Sequence, residues 1–356
     1  MRSEPLFVLP LIGRAMLSLA VVLFCAPLLL ARPKIDVVVM NNGDRLTCEI
    51  IKLENGQLQV KSANSTGTVS LDWLKVDSIE SVQYFVIETA DGRTMAGPIR
   101  KVAAGGSHGP EFQIGPEAAS SVVAMAEVVA IGRSGERLFA RLSGTVSSGY
   151  TYTKGNNGTQ FNLSGNLDLR GRANEVLTTF QSTVTSQNNG TSDYYDLNTM
   201  YVRLLRRNWF LGGYNDFLRS GEQELDLRAT LGVLAGRRVV RTNRTVLSVA
   251  AGTVYSRENY RAEVSGTNQS NNAEAIIGIQ CMLFRFDSTQ FQFASRSFPS
   301  LTTPGRIRVE TNLSAKIDMT HKLFWNTSFY SNYDSHPPVK ATSTDFGVST
   351  GLGYTF

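Results

Sequence analysis

Histidine and cysteine are both scarce in this chain, with three of each in 356 residues. Proline occurs 11 times, and charged residues make up only 18%, against roughly 25% in ordinary soluble domains. Each shortage excludes a class. Cys48 and Cys281 lie far apart, and no Cys-x-x-Cys or Cys/His cluster is present. A disulfide scaffold and a cysteine or histidine metal site are therefore not expected. Beyond residue 31 no apolar run approaches the ~18 residues that a membrane-spanning helix needs. The hydrophobic share of 42% and the net charge of +5 exclude a disordered chain. The 31 glycines follow no period of three, which excludes a collagen-like chain.

The first segment reads as an export signal. Arg14 precedes an apolar stretch that ends in a small residue, Ala31, before Arg32-Pro33. Cleavage is expected after Ala31, giving a signal peptide over 1–31, and an uncleaved anchor is the alternative. Phe24 is too bulky to precede a lipid-modified Cys25. Loss of Arg2, Arg14 and Glu4 from 35 basic and 30 acidic residues leaves 33 and 29. So weak an excess on an exported chain argues against nucleic acid.

Residues 36–131 read as a small β domain. Val37-Val38-Val39-Met40 runs through Asn41-Asn42-Gly43-Asp44 into Arg45-Leu46-Thr47-Cys48, and such turns supply the positive φ of a tight hairpin. The pattern returns in Phe85-Val86-Ile87-Glu88-Thr89 and Gly92-Arg93-Thr94, with Arg45 and Arg93 offset by 48 residues. Two copies, about 36–82 and 83–131, fit an SH3-like or Sm-like barrel. Arg45 and Arg93 read as solvated side chains beside turns, with an anion site as the sharper alternative.

From residue 137 to 356 strict alternation takes over. Ile307 to Met319 places apolar residues or Thr at odd positions and polar or charged ones at even positions, and Phe346 to Phe356 alternates likewise. Alternation of this length sets one face in an apolar medium and the other in a polar one. Strands are expected near 137–153, 160–171, 175–187, 193–206, 209–218, 224–235, 244–257, 273–286, 289–297, 306–319, 322–334 and 344–356. Twelve is an even number, and most are at or above the ~9–11 residues that cross a bilayer when tilted. Connections after odd strands are mostly longer, Asn259–Asn272 and Ser335–Ser343 among them, while those after even strands are tight apart from Gly236–Asn243. The fold class expected is therefore all-β. A twelve-stranded antiparallel transmembrane β-barrel follows the small β domain, which would lie on the short-turn, periplasmic side. The outward face would carry Phe161, Leu313, Trp325, Phe346 and Leu352, with Tyr150, Tyr152, Trp209, Tyr255, Trp325 and Tyr354 as girdle aromatics.

The Gly43-Asp44-Arg45-Leu46-Thr47 type of β repeat, and the alternating end Gly351-Leu352-Gly353-Tyr354-Thr355-Phe356, carry a resemblance. The chain resembles the uncharacterised salt-induced outer-membrane proteins, over about residues 140–356. Tyr354 and Phe356 are similar to the aromatic C-terminal signal that outer-membrane barrels present to their assembly machinery. The resemblance implies a barrel in the Gram-negative envelope and supplies no catalytic residue.

Two functional readings stay open for the barrel. Arg141, Asp168, Arg170, Arg228, Arg308, Glu310, Lys316 and Asp318 would line a wet lumen of mixed charge, as in a porin-like pore or envelope-stress component. The same residues could instead form an ion-pair network that plugs a narrow barrel. A third reading is an adaptor whose small domain docks peptidoglycan or a periplasmic protein, and a fourth is a soluble periplasmic β-sandwich that binds a sugar. Outer-membrane lipid and the assembly machinery are the remaining partners expected, with no cofactor. An enzyme is not expected. A serine nucleophile needs an adjacent base, and His108, His321 and His336 lie in linker, turn and loop. Glu222 and Glu224 read as a solvated loop pair.

Overall fold

The computed structural model describes residues 34–62, 67–101, 110–115, 120–133, 142–153, 158–171, 173–187, 190–264, 267–284, 289–320, 322–337 and 341–355. The expected signal peptide, Arg141, His108, His321 and Phe356 lie outside the described residues.

The N-terminal part is a small barrel-like domain of nine strands: β1 (Asp36–Met40), β2 (Arg45–Glu54), β3 (Gln57–Ser62), β4 (Thr68–Asp72), β5 (Val76–Thr89), β6 (Thr94–Lys101), β7 (Glu111–Ile114), β8 (Ser121–Ala124) and β9 (Val128–Arg133). The internal repeat is visible in the register. Val38 pairs with Ile79 and Ile87 pairs with Ile131, each two residues before an irregularity, at Met40–Val76 and Thr89–Val128. The long β5 serves both copies. Its first half closes copy one against β1, and its second half opens copy two against β6 and β9. A 3-10 turn precedes the closing strand in each copy, Trp73–Lys75 and Met125–Glu127. Trp73 Nε1 donates to the Met125 carbonyl at 3.2 Å, and its ring packs on Phe112. One continuous core therefore joins the copies.

Cys48 sits in that core with no exposed surface, whereas Cys281 in the barrel is half-buried; both thiols are free. Burial pushes the Cys48 thiol up to about 12, and the neighbouring Asp36 and Glu49 add to the shift. Thiolate is the reactive species. Maleimide at neutral pH is thus expected to spare Cys48 in the native protein and to modify it once the small domain unfolds. Mass spectrometry of the tryptic peptide reads this, and rapid native labelling would contradict the core placement.

The rest of the described chain is a closed antiparallel barrel of twelve strands: β10 (Leu142–Thr153), β11 (Gly158–Arg170), β12 (Asn174–Gln187), β13 (Gly190–Leu204), β14 (Trp209–Ser220), β15 (Leu225–Arg241), β16 (Thr245–Val264), β17 (Thr267–Phe284), β18 (Thr289–Pro299), β19 (Ile307–Asp318), β20 (Leu323–Asp334) and β21 (Thr344–Thr355). Each pairs with its neighbour, and β10 closes on β21 from Thr145–Thr355 to Ser148–Leu352. Twelve residues at ~3.3 Å rise and ~40° tilt reach roughly 30 Å.

Two boundaries correct the sequence reading. Asn259–Asn272 is not a loop, because β16 and β17 continue as a paired hairpin past it. Gly236–Asn243 is mostly strand as well, since β15 runs to Arg241 and pairs with β16 at Arg241–Val246. The long connection on the short-turn side therefore disappears.

The outward face is apolar on most strands. Leu231, Val233, Ile277, Leu313, Phe346, Val348 and Leu352 each expose more than two fifths of their surface, as do Tyr150, Trp209, Tyr255, Trp325 and Tyr354 near strand ends. The side chain of Tyr152 lies outside the described residues. The inward side is packed. Rings lie across glycines of the next strand, so that a Cβ on Gly353 would come within 2.2 Å of Phe324 and one on Gly347 within 2.5 Å of Tyr330. Side-chain-free glycine lets those rings lie flat.

Candidate functional site

Parity along each strand sends Arg228, Glu258, Glu274, Arg308, Glu310 and Asp334 inward, and closure of the ring brings them together at one mouth. Arg228 Nε donates to Glu258 at 2.6 Å, and Arg308 donates to Glu274 at 2.8 and 2.5 Å. Arg308 also lies 3.4 Å from Glu310. Arg306, at the entry to β19, completes the set. It donates to both Glu258 oxygens at 2.8 and 2.9 Å and to Asp334 at 3.1 and 2.5 Å. All of these side chains are buried, Glu258 and Glu274 completely.

Several of these contacts cross the lumen. Arg228 on β15 reaches Asp334 on β20 at 3.6 Å, five strands away around the ring. Ser220 on β14 donates to Asp345 on β21 at 2.6 Å. Tyr194 on β13 stacks on Tyr330 of β20 at 4.1 Å, and Asn332 donates to its hydroxyl at 3.1 Å. On the 221–224 connection Glu222 is exposed, as expected, and Glu224 half-buried, whereas Gln223 between them turns inward. Gln223 is buried and donates to the Asn332 carbonyl at 3.2 Å. Deeper, Val202, Phe210, Tyr214, Leu234, Val254, Ile276 and Phe298 form an apolar cluster inside the barrel.

The inward charges at this mouth form an ion-pair network, the arrangement that stood as the alternative to a wet lumen. Charge points inward, as alternation dictates, but the charges at this mouth are dry and paired. A charge withdrawn from water must find a partner, and a twelve-stranded ring is narrow enough for side chains from opposite walls to meet. The opposite wall, β10, β11 and β21, carries small residues. Ser147, Asn162, Ser164 and Ser349 leave a cavity of about 10 Å³ there, room for about one water.

The remaining expected lumen residues do not join this cluster. Lys316 lies 3.0 Å from Asp318 and 4.6 Å from the Phe324 ring, near the other mouth. Asp168 keeps one buried oxygen without a hydrogen-bond partner. Arg170, at the short-turn mouth, donates to Glu88 of the small domain at 2.6 Å. Sequence reasoning missed Arg306, Glu258, Glu274 and Asp334. The signal for three of them was present in the shared even parity of Glu258, Glu274 and Asp334 with Arg228 and Arg308.

At the short-turn mouth the small domain meets the barrel rim. Glu88 accepts from Arg170 and, at 2.5 Å, from Arg241. Asn208 donates to the Ala90 carbonyl at 2.7 Å and Asn243 to the Val128 carbonyl at 2.8 Å. Gly56 and Gly92, both at positive φ, abut Asn243 and Asn208 so closely that a Cβ would collide with them. Burial raises the Glu88 carboxyl, but the Arg241 hydrogen bond and the Arg170 and Arg241 charges outweigh it and hold the group at about 2.

Among the described residues no group of three or more metal-ligating side chains is present. His336 Nδ1 lies 2.9 Å from Ser335 Oγ, but that hydroxyl also accepts the Ile307 N–H, so the pair braces a turn.

Residues 146–356, well over half of the chain, match the family described as a protein of unknown function, DUF481. The chain belongs to the DUF481 family. The DUF481 match spans the barrel from within β10 and says nothing of salt induction. Among curated proteins none matches the chain. Solved structures similar to it include the NanC porin, at 10% identity and TM-score 0.39 over 60% of this chain and 98% of that one. Another is the translocator domain of the autotransporter NalP from Neisseria meningitidis, at 17% identity and TM-score 0.33 over 60% and 87%. A third is the β domain of the Bordetella autotransporter BrkA, at 12% identity and TM-score 0.29 over 60% and 97%. At such similarity nothing about this chain's role rests on them.

Proposed function

We propose that this DUF481 protein is an outer-membrane pore that is plugged at rest, with its small domain held at the periplasmic mouth. The apolar outward belt supports the membrane, since soluble proteins rarely expose apolar patches beyond a few hundred Å². The short turns share one end with the small domain, which supports its periplasmic side. The observation that carries the plug is the Arg306 clamp on Glu258 and Asp334, reinforced across the lumen by Arg228. The contact of Ser335 with His336 is spent on bracing a turn, and no cofactor is invoked. The salt-induced resemblance fits an envelope component whose pathway opens on demand.

Two measurements test this. Unboiled protein from the outer-membrane fraction is expected to migrate differently on a gel from boiled protein, as a closed barrel does. Reconstituted in planar bilayers at neutral pH, the wild type is expected to be almost silent. A steady open-porin conductance would overturn the plug, and a soluble protein without a heat shift would overturn the membrane.

A further inference from the structure

Between the small domain and the barrel rim lies a cavity of about 1190 Å³. Among the described residues five arginines line it, Arg93, Arg206, Arg207, Arg238 and Arg241, against two acidic ones, Glu88 and Asp91. Three of the five are spoken for. Arg93 pairs with Asp91 and Glu127, Arg238 with Glu175, and Arg241 with Glu88. Arg206 and Arg207 have no acidic partner among the described residues, and both are exposed on the turn between β13 and β14. Arg207 and Asn208 adopt left-handed backbone, at φ 59° and 62°, so the turn that carries the two arginines is the one whose Asn208 donates to the Ala90 carbonyl. Guanidinium is suited to phosphate, because its planar fork donates two hydrogen bonds to one anion.

The cavity also has an apolar exit. Trp209 and Leu205 line it and belong to the outward face, 48% and 42% exposed. Arg237 lies over the Trp209 ring at 5.9 Å, and Leu211, two residues along the same face, is 52% exposed. A ligand seated here would have a charged head among arginines and a chain running down an apolar wall. A soluble anion would have no use for that wall.

We propose that this cavity is a binding site for the phosphate headgroup of an anionic phospholipid, with Arg206 and Arg207 as its principal contacts. The inference rests on the reading of the barrel as membrane-spanning. It makes the rim a lipid-reading element: the leaflet nearest the small domain supplies the ligand, and the small domain forms one wall of the site. Arg93, which looked like a solvated turn residue in the sequence, becomes part of that wall.

The test uses the full chain in neutral detergent micelles. Dioleoylphosphatidylglycerol and dioleoylphosphatidylcholine are added in equal amounts, and retained lipid is counted by native mass spectrometry. Wild type is expected to retain phosphatidylglycerol in preference. The double variant Arg206→Gln, Arg207→Asn removes both charges while keeping a residue that tolerates left-handed backbone, and should lose that preference about tenfold or more. Arg257→Gln, on the far mouth beside Gln269, should leave it intact. The heat shift is read on the same samples. A heat-shifting barrel with no lipid preference, or with a preference untouched by the double variant, overturns this site while the membrane reading stands. Complete displacement of phosphatidylglycerol by millimolar inorganic phosphate overturns the lipid in favour of a free anion. Absence of the heat shift overturns both readings.

Discussion

Replacing Arg306 with alanine is expected to open the barrel. Its guanidinium makes five hydrogen bonds, two to Glu258, two to Asp334 and a longer one to the Tyr260 hydroxyl at 3.4 Å, and only 5% of its side chain is exposed. Without it two buried carboxylates share a single remaining cation, Arg228. Removing one member of a buried ion pair typically costs about 3–5 kcal/mol, because the partner is left charged and dry. The barrel can escape that cost by admitting water, which is the event that opens a lumen. If the closed state is favoured by a comparable amount, the balance shifts by roughly two to three orders of magnitude. Arg306→Ala in planar bilayers should thus show frequent openings where wild type shows almost none, and its heat-shift temperature should fall. Arg306→Lys, which keeps the charge but not the fork, should lie between the two. Unaltered silence together with a lower heat-shift temperature would mean that the clamp stabilises the barrel without gating it.

The strands were readable from the sequence for the same reason that the plug's partners were not. Over Ile307–Met319 each side chain meets one of two media, and the alternation records which. The β16–β17 hairpin lost that record beyond Tyr255: Asn259, Gln269 and Asn271 on the odd parity are as polar as Glu258, Ser270 and Asn272 on the even one, so the segment looked like loop although it is paired. Inward parity likewise identified Arg228, Arg308 and Glu310 but could not assign their partners. Pairing across a lumen depends on how the strands stagger when the ring closes, and Arg228 meeting Asp334 spans 106 positions of the chain. Arg306 was obscured because it lies one residue before β19, at the edge of an expected strand. Glu88 sits in the β hairpin echo, where nothing local distinguishes a solvated glutamate from one that grips a second domain. The arginines of 203–207 and 237–244 were visible as a composition, yet only the fold places two of these turns beside the small domain.

Glu88→Ala is expected to release the small domain from the rim. Its carboxylate bridges Arg170 and Arg241 at 2.6 and 2.5 Å with 17% of the side chain exposed, and Arg238 adds a third positive charge nearby. Removal leaves Arg241, only 6% exposed, without its acidic partner and takes one hydrogen-bonded carboxylate from Arg170, for a loss of about 3 kcal/mol. Protonation should achieve part of the same result. Because docking lowers this carboxyl from its ordinary 4.5 to about 2, the contribution is complete above pH 4.5 and is lost as pH falls towards 2. The drop bounds it at about 3 kcal/mol. Glu54, held by Lys52 at 2.7 Å and close to the field of Arg170, is lowered as well and adds to the same acid window. Amide hydrogen exchange followed by mass spectrometry reads the interface directly. Peptides covering 85–95 and 236–245 should exchange at least about tenfold faster in Glu88→Ala at neutral pH, while those covering Trp73 and Ile79, in the shared core, stay protected. Wild type should show the same selective loss between pH 4.5 and 2 once intrinsic exchange rates are divided out. Glu88→Gln, which keeps the shape and one acceptor, should lose the pH dependence except for the part that Glu54 supplies, and only part of the protection. Equal protection in all three proteins would show that the Asn208 and Asn243 hydrogen bonds hold the domain by themselves.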